Sequence, residues 1–150
     1  MSQPPKKIPK QGKRIKESSS QMPHIPRQGE IWLVAFPKTK ESRKPFRPCL
    51  VVSNDNQNIY DEEIIALPLT TEEVISGEIQ PFEILIKSTK ETGLDEDSRI
   101  LTNRIHTFNK ELRLLKRLGQ VKPEIWNQVL ISLWEGLAGK SNILWINQAN

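Results

Sequence analysis

Residues 43–55 read RKPFRPCLVVSND, in which three basic side chains and two prolines lead into an apolar run. The run at 48–53 predicts a β-strand, because short stretches rich in valine and leucine before turn residues are typical of buried strands. Arg47 stands directly before it, between an aromatic residue and a proline. Arg47 either makes a surface ion pair with Glu41 or Asp55, or holds an anion at the mouth of the fold.

Further strands are predicted on both sides of this stretch, with turn chemistry over residues 54–58. They cover residues 30–36, 63–67 and 81–86, with one or two more within 98–107. Thr92 and Gly93 turn the chain between two of them. Several short strands separated by turn signals predict a small, SH3-like type of barrel, so the fold class is mainly β with α.

Helical periodicity dominates the C-terminal part of the sequence. Asn109 is a plausible N-cap for a helix through Leu118, with Gly119 as the residue that follows its end. Pro123 suits the first turn of a second helix, whose apolar residues form a wide stripe and which ends at Gly139. This closing helix is expected to cover the barrel.

The positive charge is concentrated at the N-terminus. The 150 residues carry a formal charge of +4, yet residues 1–28 hold seven basic side chains and one acidic one. We predict a basic, proline- and serine-rich disordered extension over 1–26, a barrel domain over 27–139 and an apolar tail containing Trp145 over 140–150. The extension is interpreted as solubilising or as a nonspecific RNA anchor.

The cysteine content and hydropathy bear on where the protein resides. The single cysteine, Cys49, cannot form an internal disulfide and lies in an apolar run, which predicts a buried thiol. No apolar run exceeds the six residues 31–36, so neither a membrane helix nor a signal peptide is predicted. These features predict a cytoplasmic protein without membrane association.

The order of several motifs resembles one family. RQGEIWLV (27–34) precedes a polar loop and FRPCLVV (46–52); IIALPLTT (64–71), DSRILTNRIHT (97–107) and a terminal helix with QVLISL (128–133) follow. This arrangement, which extends over residues 27 to about 137, is similar to the MazF/PemK (Kid) toxins of type II toxin–antitoxin systems. Each motif is weak alone, and their joint order is specific.

The resemblance implies an SH3-like barrel that forms a homodimer and is neutralised by a cognate antitoxin. It implies a sequence-selective endoribonuclease that cleaves single-stranded RNA, including mRNA, without metal or other cofactor. In such enzymes the 2′-hydroxyl attacks the neighbouring phosphate and leaves a 2′,3′-cyclic phosphate. The family's catalytic arginine and threonine fall on Arg47 and Thr70.

The chemistry of these side chains agrees with that implication. A guanidinium is a rigid fork of donors that stays protonated, so Arg47 can stabilise charge on phosphate oxygens but cannot act as a general base. The Thr70 hydroxyl can donate to a phosphate oxygen or position the 2′-hydroxyl. His106 is a candidate for proton transfer or backbone binding, or else a hydrogen-bonded histidine at a strand end. Asn103 replaces a catalytic acid of PemK-type members and cannot serve as one.

The loop before the second strand departs from the family pattern, because Pro45 and Phe46 stand where glycines are common. Residues 37–48 hold five basic groups and one acidic group. Basic side chains beside an aromatic ring suit RNA backbone tracking and base stacking. The predicted RNA-binding residues are Lys38, Lys40, Arg43, Lys44 and Phe46. The alternative for the loop is a solvated charged hairpin end. Separately, Phe46 is alternatively a core residue that closes the barrel.

Two other functions remain open from the sequence. One is a catalytically inactive module that binds RNA or antitoxin on the same barrel, which the altered loop and Asn103 favour. The other is a topoisomerase poison on a related fold, because fold alone does not define function. Arg47 and Thr70 favour the nuclease.

Overall fold

The computed structural model describes residues 25–37, 44–72 and 79–149, and the side chains of these up to residue 139. Within these residues, seven strands and three helices follow one another. They are β1 (Glu30–Ala35), β2 (Phe46–Val51), α1 (Asp55–Tyr60), β3 (Glu63–Thr70), β4 (Glu83–Ile86), β5 (Ser98–Leu101), β6 (His106–Asn109), α2 (Lys110–Arg113), β7 (Leu114–Gln120) and α3 (Pro123–Ala149).

The strands form one antiparallel sheet in the order β4-β5-β3-β2-β1-β7, with β6 also paired to β3. The first half of β3 therefore pairs with β6, and its last two residues pair with β5. The loop after β4 returns to the opposite end of this order, where Gln120 N–H of β7 donates to Glu91 O at 3.0 Å. The prediction of a mainly β fold with a C-terminal helix is confirmed. The two ends of the sheet meet through contacts of this loop with β7.

Alternate residues of a strand point to opposite sides of the sheet, and here buried apolar side chains lie on both sides. One face, here called the helix face, packs against Val129 of α3. The other, here called the site face, carries a separate apolar cluster that includes Trp32, Cys49, Ala66 and Phe108. Two buried faces explain why β1 to β3 are near-continuous apolar runs.

The RQGEIW motif at the start of β1 has a structural explanation. The Glu30 carboxylate accepts the Arg27 N–H at 2.7 Å and the Trp32 Nε1–H at 3.1 Å. It also pairs with Arg117 Nε on β7 at 2.5 Å. One carboxylate thus ties the entry of β1 to its neighbouring strand.

The turn predicted over residues 54–58 is wrong, because the chain forms the short helix α1 there. Asn54 is its N-cap, with the side chain accepting the Gln57 N–H. Asn58 is fully buried and bonds to Ser53 through both its amide oxygen and its amide nitrogen. The same residue types favour turns and helix caps, and the buried amide pairs favour the helix.

The helix predicted from Asn109 to Leu118 is also wrong beyond its first turn. Asn109 does cap a helix, accepting the Leu112 N–H at 3.0 Å, but α2 ends at Arg113. Residues 114–120 form β7 and pair with β1. Pairing with a free edge of the sheet therefore overrides the local helical pattern.

The closing helix begins at Pro123 as predicted and has non-helical backbone at Gly139, with φ 70° and ψ 160°. Ile125, Trp126, Val129 and Leu133 belong to the helix-face core. The Trp145 side chain and residues 1–24 of the predicted extension lie outside the described part. No helix within that part is long and apolar enough to cross a membrane.

The thiol prediction is confirmed, since Cys49 is free and fully buried. Burial raises the pKa of the Cys49 thiol far above its usual range, although the nearby Arg47 charge opposes the shift. The thiol is therefore held in its protonated form, which packs as a small apolar group.

Candidate active site

Strand register brings Arg47 and Thr70 together. Cys49 of β2 is paired with Pro68 of β3, and continuing that antiparallel register by two residues sets Arg47 opposite Thr70. Arg47 is two residues from Cys49, and Thr70 is four residues from Ala66. Cys49 and Ala66 lie in the site-face cluster, so Arg47 and Thr70 point to the same face of the sheet. Residues 23 positions apart along the sequence thus project from neighbouring strands on the same face.

Both side chains line one cavity of about 230 Å³, here called the Arg47–Thr70 cavity. Phe46, the first residue of β2, and Lys44, which precedes the strand, contribute to it, and Thr71 continues it beyond β3. Phe46 is 54% exposed, so the alternative in which it closes the core is wrong. The cavity combines two cationic groups with two adjacent threonine hydroxyls, a combination that can bind a phosphate.

The Arg47 guanidinium lies over an aromatic ring. Its Cζ atom is 5.6 Å from the Phe36 ring centroid, and its Nε atom is buried without a hydrogen-bond partner among the described residues. Asp55, one predicted ion-pair partner, pairs with Arg27 at 3.8 Å; the other, Glu41, lies outside the described residues. No ion pair to a carboxylate occupies Arg47 within that described part. The aromatic contact orients the guanidinium without neutralising it.

Thr70 is held at the end of β3 by its own turn. Its Oγ1 accepts the Glu72 N–H at 3.2 Å. The hydroxyl hydrogen has no acceptor among the described residues, so it can be donated to a ligand. On its other side Thr70 pairs with Arg99 of β5, whose side chain makes a buried ion pair with Glu83 at 2.7 Å. The sheet thus supports Thr70 from both neighbouring strands.

Three carboxylates that the sequence analysis did not single out line the same cavity. They come from Glu72 after β3 and from Asp95 and Glu96 in the loop before β5. All three are exposed residues. No spacing signal marks them, because they reach the cavity through folding of two separate loops. They supply proton acceptors beside a cationic group.

His106 lies in a second cavity of about 420 Å³, here called the aromatic cavity. Arg47 lines both cavities, whereas Thr70 lines only the first and His106 only the second. His106 pairs with Ala66, four residues before Thr70 on β3, which is about 13 Å along the strand. The structure therefore joins Arg47 to each of the other two predicted residues, but does not bring Thr70 and His106 together.

The ring of His106 is stacked on Phe108, with centroids 5.5 Å apart and planes at 16°. Phe36 meets it edge-on at 5.5 Å. Burial lowers the pKa of His106 below its usual 6.5, and the charges of Arg104 and Arg47 lower it further. The imidazole is therefore neutral at pH 7 and can both donate and accept a hydrogen bond.

This environment predicts how His106 titrates. In a ¹H–¹³C NMR titration of the full chain we expect the His106 imidazole to have a pKa below 6.5. Because the unfolded chain binds the proton more readily, the free energy of unfolding should fall as pH drops below about 6.5. His106→Gln should remove that part of the pH dependence, and His24→Gln assigns the other signal. A His106 pKa above 6.5 would contradict the prediction.

The remaining predicted site residues are only partly described. Lys44 and Phe46 line the Arg47–Thr70 cavity, whereas Lys38, Lys40 and Arg43 lie outside the described residues. Their assignment to RNA binding stays a prediction. Asn103 is exposed and lines neither cavity, in keeping with its exclusion as a catalytic acid.

Comparison with known proteins gives one family and several similar folds. The family described as PemK-like, MazF-like toxin of type II toxin–antitoxin system matches residues 27–136. MazF from Deinococcus radiodurans is 21% identical, with a TM-score of 0.62 over 77% of this chain and 98% of that chain. An endoribonuclease in complex with its cognate antitoxin, from a mycobacterial species, is 21% identical, with a TM-score of 0.58 over 77% and 95%. At these identities the solved structures establish a shared fold. No curated protein matches the sequence.

Proposed function

Since the chain belongs to the PemK-like, MazF-like toxin family of type II toxin–antitoxin systems, we propose that it is an endoribonuclease that cleaves single-stranded RNA without metal. The observation that carries this proposal is that Arg47 and Thr70 line one cavity from neighbouring strands. The solved structures with a similar fold include proteins named endoribonucleases, which supports the same reaction class. We infer that the protein works in the cytoplasm, where its mRNA substrate is found.

The reaction assigned to the cavity is a transesterification at phosphorus. The 2′-oxygen forms a bond to phosphorus while the bond to the 5′-oxygen breaks. The proton of the 2′-hydroxyl passes to a base, and the leaving 5′-oxygen takes up a proton. Arg47 stabilises negative charge on the non-bridging oxygens, and Thr70 donates its free hydroxyl hydrogen to one of them. The products are a 2′,3′-cyclic phosphate and a 5′-hydroxyl.

Two kinds of proton acceptor are available beside Arg47. Asp95 and Glu96 line the cavity that also contains Thr70, and neutral His106 lies in the adjoining one. His106 keeps its predicted role in proton transfer as a hypothesis. The pH dependence of the rate distinguishes them, because loss of a catalytic histidine changes the profile between pH 5 and 8. A His106→Gln variant with an unchanged rate and profile would exclude His106 from proton transfer.

The direct test uses the purified full chain, free of antitoxin, with mixed-sequence single-stranded RNA in EDTA. We expect cleavage at a restricted set of sequences, new 5′-hydroxyl ends and 2′,3′-cyclic phosphates. Chelation should leave the rate unchanged. Cleavage that requires added metal would contradict the mechanism. Absence of cleavage would favour the alternative of an inactive binding module on the same fold.

The antitoxin is the protein partner proposed for this chain, as in the similar mycobacterial and Deinococcus complexes. We expect it to lay an acidic segment over the basic loop at residues 37–48 and so to block RNA. Protection of Lys44 and Arg47 from solvent in the complex would support this arrangement. A complex in which the Arg47–Thr70 cavity stays open to RNA would contradict it.

A homodimer is the assembly proposed for the chain. The elements proposed for its interface are β1, the closing helix and the segment that contains Trp145. Of these, β1 lies between β2 and β7 with Ile31, Trp32 and Val34 buried, so it has no free edge. Exposed apolar side chains on α3 support a contact through that helix instead; they are Leu130, Ile131, Trp134 and Leu137. Sedimentation at micromolar concentration should give twice the 17.3 kDa chain mass. A monomer would contradict the proposal.

A further inference from the structure

We propose that the aromatic cavity binds the base and phosphate of the unpaired nucleotide next to the scissile phosphate. The inference rests on the proposed function and adds a second binding site to it. The cavity combines aromatic rings, several arginines and direct continuity with the Arg47–Thr70 cavity.

The aromatic part of the cavity presents ring faces suited to stacking. Phe36, His106 and Phe108 contact one another with centroids 5.2 to 5.5 Å apart, so the rings form a rigid cluster. Phe36 and His106 are half-buried, which leaves part of each ring to the cavity, whereas Phe108 is almost fully buried behind them. A nucleobase stacked on such a platform gains roughly 1–3 kcal/mol.

The charged part of the cavity is cationic throughout its described lining. Arg47 comes from β2, Arg104 from the turn between β5 and β6, and Arg113 from the end of α2. No aspartate or glutamate is among the described residues that line it. Three arginines thus surround the ring cluster. The arginines can bind a phosphate while the rings stack on a base, so the cavity suits a ligand that carries both groups.

Polar groups near the rings can read the edge of a base. Neutral His106 offers one donor and one acceptor, and Asn109 and Thr107 also line the cavity. Burial lowers the pKa of His106 below 6.5, and the facing charges of Arg104 and Arg47 lower it further, so the ring is neutral at pH 7. An acidic peptide would match the charge but would leave the ring faces and these polar edges unused.

Continuity with the reaction site defines which nucleotide is bound. Arg47 lines both cavities, so a nucleotide in the aromatic cavity is next to the phosphate that Arg47 contacts in the other. The volume of about 420 Å³ lies within the usual range of ligand sites, roughly 300–1,000 Å³. One nucleotide with its phosphate can therefore enter without displacement of the sheet.

The test measures coupling between one protein side chain and one base. The substrates are short RNAs that contain the mapped cleavage site, with a 2′-O-methyl group at the scissile nucleotide to prevent cleavage. In a series of these RNAs, each flanking nucleotide in turn is replaced by an abasic residue, and the binding affinity of each RNA is measured. For the wild-type chain, one abasic position should weaken binding roughly tenfold to a hundredfold. In Phe36→Leu, which keeps an apolar side chain beneath Arg47, that same position should have little effect.

Arg113→Ala provides a second variant outside the Arg47–Thr70 cavity. We expect a raised KM for the cleavable RNA with kcat unchanged, and partial recovery in Arg113→Lys. Arg27→Ala, at an exposed arginine that is not among the residues lining the cavity, is the matched control and should change neither constant. Thermal unfolding of each variant verifies that the fold is retained.

The outcomes separate this inference from the function on which it rests. If the wild type cleaves RNA but Phe36→Leu shows no coupling to any flanking base, the nucleotide site is overturned and the nuclease stands. If the two variants bind RNA normally but lose affinity for an acidic peptide, the cavity is an antitoxin site and the inference is overturned. If the wild type cleaves no RNA, both proposals fail.

Discussion

Arg47→Ala should lower the single-turnover rate of RNA cleavage on the order of 10³-fold, because it removes a fixed cation that faces the phosphate. The guanidinium is held over Phe36 and has no carboxylate partner within the described residues, so its charge is available to the substrate. Saturating RNA should not restore the rate, since the interaction strengthens as charge develops on phosphorus.

Two further variants define the origin of the effect. Arg47→Lys keeps the positive charge but loses the planar fork of donors, so we expect an intermediate rate. Arg27→Ala removes an arginine whose exposed ion pair with Asp55 is worth at most about 1 kcal/mol, and it should cleave like the wild type. The measurement is the rate of new 5′-end formation in EDTA with enzyme in excess. Cleavage by Arg47→Ala at the wild-type rate would refute the mechanism.

Gly119→Ala should destabilise the fold by about 3 kcal/mol or more. A Cβ atom at this position of β7 would lie 2.2 Å from Glu91 O and 2.4 Å from the carbonyl carbon and oxygen of Thr92. These are backbone atoms, and Glu91 O already accepts the Gln120 N–H. The clash can be relieved only by moving the loop that joins the two ends of the sheet. Thermal unfolding should show a midpoint lowered by roughly 10 °C or more.

Gly136→Ala is the matched control for this substitution. Gly136 lies in α3 with nothing within 4 Å of a built Cβ, so alanine should raise stability by about 0.5–1 kcal/mol through helix propensity. Opposite signs for the same chemical change would show that close backbone approach, and not loss of glycine flexibility, controls position 119. Equal small effects at both positions would contradict the close packing of β7 against the loop.

Local sequence was sufficient where one segment decides its own structure. The apolar runs became β1, β2 and β3, Asn109 caps a helix, Pro123 begins α3, and Gly139 interrupts it. Cys49 is buried as its apolar neighbours indicate. In each case the deciding forces act within a few residues: burial of alternate side chains, capping of exposed N–H groups and the left-handed backbone open to glycine.

Local sequence failed where two segments compete for one structure. Residues 114–120 have leucines that suit a helix, yet they form β7 because β1 offers an unpaired edge and Gly119 allows the loop after β4 to approach. Residues 55–60 form α1 because Asn58 finds Ser53 as a buried partner. Neither outcome can be read from a short window, since the partner lies elsewhere in the chain.

The order of the motifs by itself determined the family, the mainly β fold and the choice of Arg47 and Thr70. Only the tertiary structure decided that these two share a cavity, that His106 lies in a neighbouring one, and that Asp95 and Glu96 join the first. The physical reason is strand register: a chain segment specifies which of its side chains share a face, but pairing between distant segments sets which faces meet.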